Sequence, residues 1–148
     1  MSEPATLQKV LNVREQEKKV AQKEQMEARN QFEKVAEKLY VVLKTKEKAE
    51  EGLHQAMKSK ATIIKIKEQS NYIEALNKKI VTLQHQVQRA RQKMEHKQVK
   101  VTAAHVEVKK IEKLIEKREQ TLRENERKME LIDMDEISIR QFMVQNQK

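Results

Sequence analysis

The feature that most constrains this chain is a repeat of apolar residues at alternating spacings of three and four. Such spacing averages about 3.5 residues, so it keeps one narrow apolar stripe facing a partner helix. Eleven of fifteen positions are apolar in a first set: Leu7, Leu11, Arg14, Lys18, Ala21, Gln25, Ala28, Phe32, Val35, Leu39, Val42, Lys46, Ala49, Leu53 and Ala56. Fifteen of eighteen are apolar in a second set: Ile73, Leu76, Ile80, Leu83, Val87, Ala90, Met94, Lys97, Val101, Ala104, Val108, Ile111, Ile115, Arg118, Leu122, Asn125, Met129 and Ile132. The chain is therefore predicted to be all-α and built as a coiled coil.

The two repeats do not join into one frame. Continuing the first would place Lys60, Lys67 and Glu74 where the second requires Ile73 and Ile80. A single shift of three or four residues does not repair the slip. We therefore expect a break between the two sets, with the chain reversing its direction there.

The break predicts a two-stranded antiparallel coiled coil, a long helical hairpin. We expect a single elongated domain over residues 1–148, with a first helix of about 5–57, a turn of about 58–61 and a second helix of about 62–142. Ser59 and Thr62 are suitable helix N-caps. No Gly or Pro marks the reversal, so one continuous helix that dimerises in parallel remains the alternative.

A hairpin centred near residue 60 leaves the second helix longer than the first. Helix 1 would cover the chain only to about Arg118, where the heptads turn polar at Arg118 and Asn125. About 25 residues would then extend beyond it, or roughly 40 Å at a rise of 1.5 Å per residue. Lys97, a polar residue within the second stripe, would lie opposite Glu24 and Glu27 and pair with either of them.

The composition argues against an enzyme. Phosphate-cradling loops need several glycines, and Gly52 is the only one in the chain; there is no Cys. None of the four histidines, His54, His85, His96 and His105, pairs with another at the spacing of a metal site. We predict no catalytic residues, no cofactor and no metal.

The sequence also predicts an intracellular protein. No apolar signal segment follows Met1, and the longest apolar run, Leu39–Leu43, is far shorter than the roughly 20 residues that cross a bilayer. Any association with a membrane is expected to be peripheral.

Positive charge is concentrated in the middle of the chain. Residues 58–118 carry 16 basic and 6 acidic groups, against 11 and 10 in residues 1–57 and 5 and 7 in residues 119–148. Three interpretations are open: a solvated coiled-coil face, a docking surface for an acidic protein, and a surface for nucleic acid or anionic lipid. Neither stacking aromatics nor a recognition motif accompanies the charge, so nucleic acid is not expected as a partner.

The C-terminal segment is richer in apolar residues than one narrow stripe can use. Contiguous exposed apolar surface usually marks an interface, so this end is a candidate contact surface for another protein. A terminal helix that frays or folds back is the alternative. The apolar residues are Leu131, Ile132, Met134, Ile137, Ile139, Phe142, Met143 and Val144.

Four segments together resemble the flagellar export protein FliJ family in a Bacillus-like form. They are Phe32–Tyr40 in the first helix, the Asn-Tyr-Ile-x-x-Leu-x-x-x-Ile run of Asn71–Ile80, the Val-Glu-Val-Lys-Lys run of Val106–Lys110, and Met134–Met143. Their order and spacing carry the resemblance, which extends over nearly the whole chain.

The resemblance implies a non-enzymatic component of the bacterial flagellar type III export apparatus, with a fold similar to the stalk of the rotary ATP synthase gamma subunit. The implied partners are the flagellar export ATPase ring, the cytoplasmic domain of the export gate protein and export chaperones. The family's gate-contacting positions correspond to Val42, Tyr72, Leu76 and Leu83. A cytoplasmic location, peripheral at the cell membrane through the gate, is implied as well.

The exposed C-terminal stripe is our candidate for the ATPase-ring contact. Its residues are Leu122, Met129, Ile132, Ile137, Phe142 and Met143. We expect the chain to be monomeric alone. The alternative function is a generic coiled-coil scaffold or spacer that forms a homodimer. A nucleic-acid- or lipid-binding rod is a further alternative that ranks after it.

Overall fold

The computed structural model of the chain describes residues 3–146 and consists of two long helices, α1 (Glu3–Lys58) and α2 (Ile63–Asn146). The helices pack against each other in opposite directions, which confirms the predicted helical hairpin. Contacts divide the chain into two compact units: Lys19–Ala103 form one, and the segments before and after that range form the other. The prediction of a single domain remains a prediction.

The unit of residues 19–103 contains the turn and an apolar core between the helices. Val42 from α1 packs with Leu76, Ile80 and Leu83 from α2, and Leu39 and Ala49 pack against this cluster. Each of the four central side chains is at most 8% exposed. Burial of one such side chain stabilises the fold by about 1.5–3 kcal/mol. All these residues belong to the predicted stripes, so the heptads identify the buried face correctly.

The other unit shows where α2 extends past α1. Val108 is only 4% exposed, and Arg118 forms an ion pair with Glu3, the first described residue of α1. The last partly buried residue of α2 is Ile115, and every residue from 116 to 146 is exposed. The prediction that α2 outruns α1 is therefore confirmed, and we call residues 119–146 the C-terminal overhang.

The turn between the helices reverses the chain without a glycine. The amide of Ala61 donates to the carbonyl of Ala56 at 3.1 Å, the six-to-one bond of a Schellman C-cap. Lys60 occupies the left-handed position of that cap with φ 59°. The Oγ1 of Thr62 then accepts a bond from the amide of Lys65 at 3.4 Å, as an N-cap side chain does. Of the two candidate N-caps, Thr62 therefore begins α2.

Replacing Lys60 by Gly should stabilise the protein, because a residue with a Cβ pays about 1 kcal/mol or more in the left-handed region and Gly does not. A higher thermal midpoint by circular dichroism is the expected result. Lys58→Gly is the matched control: Lys58 is the last residue of α1, so a Gly there should leave stability unchanged or lower it by up to about 1 kcal/mol. Equal shifts in both variants would contradict the assigned turn.

Candidate functional site

One ion pair links the two helices at the polar position of the second stripe. The Nζ of Lys97 donates a hydrogen bond to Glu24 Oε2 at 3.0 Å, and the side chain of Lys97 is 21% exposed. This contact is the pairing that the heptad register predicted. The hydrogen bond from Lys97, followed by its positive charge, lowers the pKa of the Glu24 carboxyl, and the charge of Lys100 adds to the effect.

The same register holds in both units. Residue numbers add up to 121 for Lys97 and Glu24 and also for Arg118 and Glu3. On the turn side of the Lys97–Glu24 pair, the guanidinium of Arg91 lies 5.8 Å from the ring centre of Phe32, a cation–π distance. Within each unit, these cross-helix contacts fix how α2 lies along α1 as far as Arg118.

Three of the four predicted gate-contacting residues lie in the core. Val42, Leu76 and Leu83 are each 7–8% exposed and pack together. Tyr72 differs, because its side chain is 52% exposed on α2. The structure thus gives Val42, Leu76 and Leu83 a packing role and leaves Tyr72 accessible to a partner.

A shallow groove runs beside this part of the core. It is lined by Val42 and Leu83 together with polar and apolar surface residues, namely Lys34, Glu37, Lys38, Val41, Lys79 and Gln86. Tyr72, Lys79 and Gln86 are spaced by seven residues, so they share one side of α2 next to the stripe that packs on α1. The groove and Tyr72 therefore belong to one side of the hairpin.

All six predicted ATPase-contacting residues are exposed on the C-terminal overhang. Leu122, Met129 and Ile132 continue the heptad stripe of α2 with 53–63% of their surface accessible, and Ile137, Phe142 and Met143 follow with 53–64%. Ile139, Phe142 and Met143 also line one concave patch with Ser138 and Asn146. Within the described residues no part of α1 covers this segment.

Sequence reasoning missed some members of the stripe that packs on α1. Ile66 and Gln69 are partly buried and continue the second frame back towards the turn. Their spacing of three, and of four to Ile73, was a detectable signal. Two of the three charged residues of the first stripe pair with nearby carboxylates: Arg14 with Glu17 at 3.1 Å and Lys46 with Glu50 at 3.6 Å.

Residues 3–146 hold no cluster of three His, Asp or Glu side chains placed to bind a metal ion. Over the same range, neither helix has a stretch apolar and long enough to cross a membrane. The candidate functional features are two surfaces: the groove side with Tyr72 and the apolar C-terminal overhang. The fold defines the class of the protein, a helical hairpin.

Comparison with known proteins identifies the family. The family model described as flagellar FliJ protein matches residues 2–147 of the chain. A protein of Bacillus subtilis (strain 168) named flagellar FliJ protein is 34% identical over 138 residues, which cover 93% of this chain and 94% of the relative. No solved structure matches significantly. The chain belongs to the flagellar FliJ family, and it is a flagellar export-associated protein.

Replacing Lys97 by Met should raise the pKa of Glu24 towards its ordinary value of 4.5, because the first two causes of the lowered pKa come from Lys97. Carboxyl carbon NMR during a pH titration measures this pKa directly. Since the folded-state pKa lies below the unfolded one, the stability that the pair contributes is present above pH 4.5 and fades as pH falls below it.

Lys93→Met is the control for this titration. Lys93 lies close to Glu24 and Lys97 but is not a cause of the lowered pKa, so the Glu24 titration should keep its position. A Glu24 pKa that is the same in the parent and in Lys97→Met would contradict the ion pair.

Proposed function

We propose that this chain is a non-enzymatic component of the flagellar export apparatus that connects the export ATPase ring with the cytoplasmic domain of the membrane export gate. Membership of the flagellar FliJ family supports the setting. Under this proposal the chain acts in the cytoplasm and associates with the membrane only through the gate. It also brings export chaperones to the apparatus, and it is monomeric when alone.

The observation that carries the proposal is the exposed apolar surface of the C-terminal overhang. Every residue from 116 to 146 is exposed, yet the segment includes Leu122, Ile137 and Phe142 at 53–64% accessibility. Contiguous apolar surface of this kind usually marks a protein interface. We assign it to the export ATPase ring, with Ile137 and Phe142 as anchors and further contacts from Leu122, Met129, Ile132 and Met143.

Acidic residues of the overhang would set its orientation relative to the ATPase ring. Asp133, Asp135 and Glu136 lie between the heptad stripe and the apolar end. Basic groups on the ring would attract them, which favours one docking orientation and speeds the encounter more than it adds affinity.

The gate contact is assigned to the groove side of residues 19–103. Tyr72 provides an exposed aromatic side chain there, and aromatic residues are enriched among the side chains that dominate interfaces. Val42 and Leu83 line the groove from below, and Leu76 packs with both. In this arrangement Tyr72 makes the main contact with the gate, and the other three hold the two helices together on the same part of the hairpin.

The double variant Ile137→Ala, Phe142→Ala should bind the purified export ATPase at least about 100-fold more weakly, because removal of two interface anchors typically costs 2 kcal/mol or more each. Calorimetry measures the affinity and a swimming assay the consequence in cells. Helicity should be unchanged, since both side chains are exposed. Arg89→Glu with Lys93→Glu, outside the overhang, is the control and should bind normally. Parent-like binding and activation by the Ala variant would refute the ATPase assignment.

Tyr72→Ala should weaken binding to the cytoplasmic domain of the export gate by about tenfold or more, as truncation of a central aromatic contact does. Tyr40→Ala is a matched control, because Tyr40 is also exposed, at 60% against 52% for Tyr72, but lies on a different side of the hairpin. Both variants should melt like the parent. If the two substitutions reduce gate binding equally, the groove side is not the specific contact.

A further inference from the structure

A row of evenly spaced cations runs along α2 and is not used by the proposed ATPase and gate contacts. Lys67, Lys78, Arg89 and Lys100 follow one another at intervals of eleven residues. Eleven residues come within about 20° of three full helical turns, with about 16 Å between successive members. The four cations therefore share one face of α2, which we call the basic row. His85 and His96, also eleven apart, lie on the same face.

The basic row is accessible and its charges are not neutralised within the hairpin. All four residues are exposed, and none forms an ion pair within residues 3–146, whereas Lys97, Lys109 and Lys110 of the same helix are paired with Glu24, Glu112 and Glu107. The charge of Lys100 acts on Glu24, but no contact joins the two. Lys67, Lys78 and Arg89 lie on the side of α2 that faces away from its buried stripe.

The acidic residues of α2 near the basic row limit which partners can bind to it. Glu68, Glu74 and Glu95 are the only acidic residues of α2 between Ile63 and Lys100. By the helical angle of 100° per residue, Glu68 and Glu95 fall about 80–100° away from Lys78 around the helix, whereas Glu74 lies on the row between Lys67 and Lys78. From Lys78 to Lys100 the row is thus interrupted by no carboxylate.

This pattern fits one class of partner better than the others. A flat anionic bilayer would also face the flanking carboxylates, and interfacial helices bind lipid through an apolar face, whereas the residues between the cations include Asn71, Ala75 and Thr82. Single-stranded nucleic acid binds through stacking aromatics, and the row has none. An α-helix with an acidic face about 10 Å wide would meet the cations and avoid their flanks.

We propose that the basic row is a docking surface for an acidic helix of a partner protein. The helix would lie along the basic row of α2 and place Asp or Glu side chains opposite Lys67, Lys78, Arg89 and Lys100. Complementary charges of this kind determine orientation and encounter rate, and their effect weakens as salt screens them. The basic row and the C-terminal overhang have no residue in common.

The test uses a labelled helical peptide of about 25 residues with Glu along one face, and the full chain with two substitutions, Lys78→Gln and Arg89→Gln. Fluorescence anisotropy at low salt should show binding to the parent and at least a fivefold loss in the variant. The matched control is Lys23→Gln with Lys34→Gln, which removes the same charge from α1 at the same spacing of eleven residues and should change the affinity less than twofold. Circular dichroism checks that all three proteins are equally helical.

Three outcomes would overturn the proposal. Equal losses in the two variants would mean that the peptide responds to net charge alone. If the peptide does not bind the parent at low salt, the basic row is not a docking surface for an acidic helix. If phosphatidylglycerol vesicles or a 30-nucleotide single strand bind the parent more tightly than the peptide does, and lose this binding in Lys78→Gln with Arg89→Gln, the row belongs to lipid or nucleic acid instead. Because Lys78→Gln with Arg89→Gln should leave ATPase and gate binding intact, failure here is distinguishable from failure of the proposed function.

Discussion

Burial of one apolar stripe of each helix against the other is the interaction on which the rest of the hairpin depends. The chain has few aromatic residues, at 3% of the total, so its core consists of aliphatic side chains such as Val42, Leu76 and Ile80. Each contributes about 1.5–3 kcal/mol when buried, and their spacing keeps one face of each helix turned towards the other. The ion pair of Lys97 with Glu24 adds little energy at the surface, but it disfavours a shift of one helix along the other.

Because α1 is shorter than α2, the apolar stripe of α2 is covered along one part of the helix and exposed along the rest. Where α1 is present, the stripe is covered and the residues serve the fold; beyond Ile115 the same periodicity continues with all residues exposed. Leu122, Met129 and Ile132 therefore have the sequence pattern of a core and the environment of a surface. A partner that supplies the missing helix or an apolar pocket would complete the pattern, and this logic underlies the ATPase assignment.

Much of the fold could be predicted from periodicity, because side chains at a spacing of 3.5 must face one direction in a helix. The pairing of Lys97 with Glu24 and the exposure past Arg118 followed from the register alone. The turn geometry could not be predicted in the same way: left-handed backbone usually selects Gly, and here Lys60 occupies it. The predicted gate-contacting residues follow the register as well: Val42, Leu76 and Leu83 belong to the two stripes and are buried, whereas Tyr72 lies outside them and is exposed. The family resemblance alone, which transfers positions, does not separate the buried residues from the exposed one.

The most direct test of the account is the distance between spin labels at Met26 and Glu95, two exposed positions that the register places opposite each other. The chain contains no Cys, so two introduced cysteines are labelled without background, and excess unlabelled chain removes distances between molecules. The hairpin predicts a separation of roughly 10–20 Å, since packed helix axes lie about 8–10 Å apart, and a longer one for labels at Met26 and Gln88. A separation near 100 Å, which a continuous helix would give at 1.5 Å per residue, would contradict the hairpin.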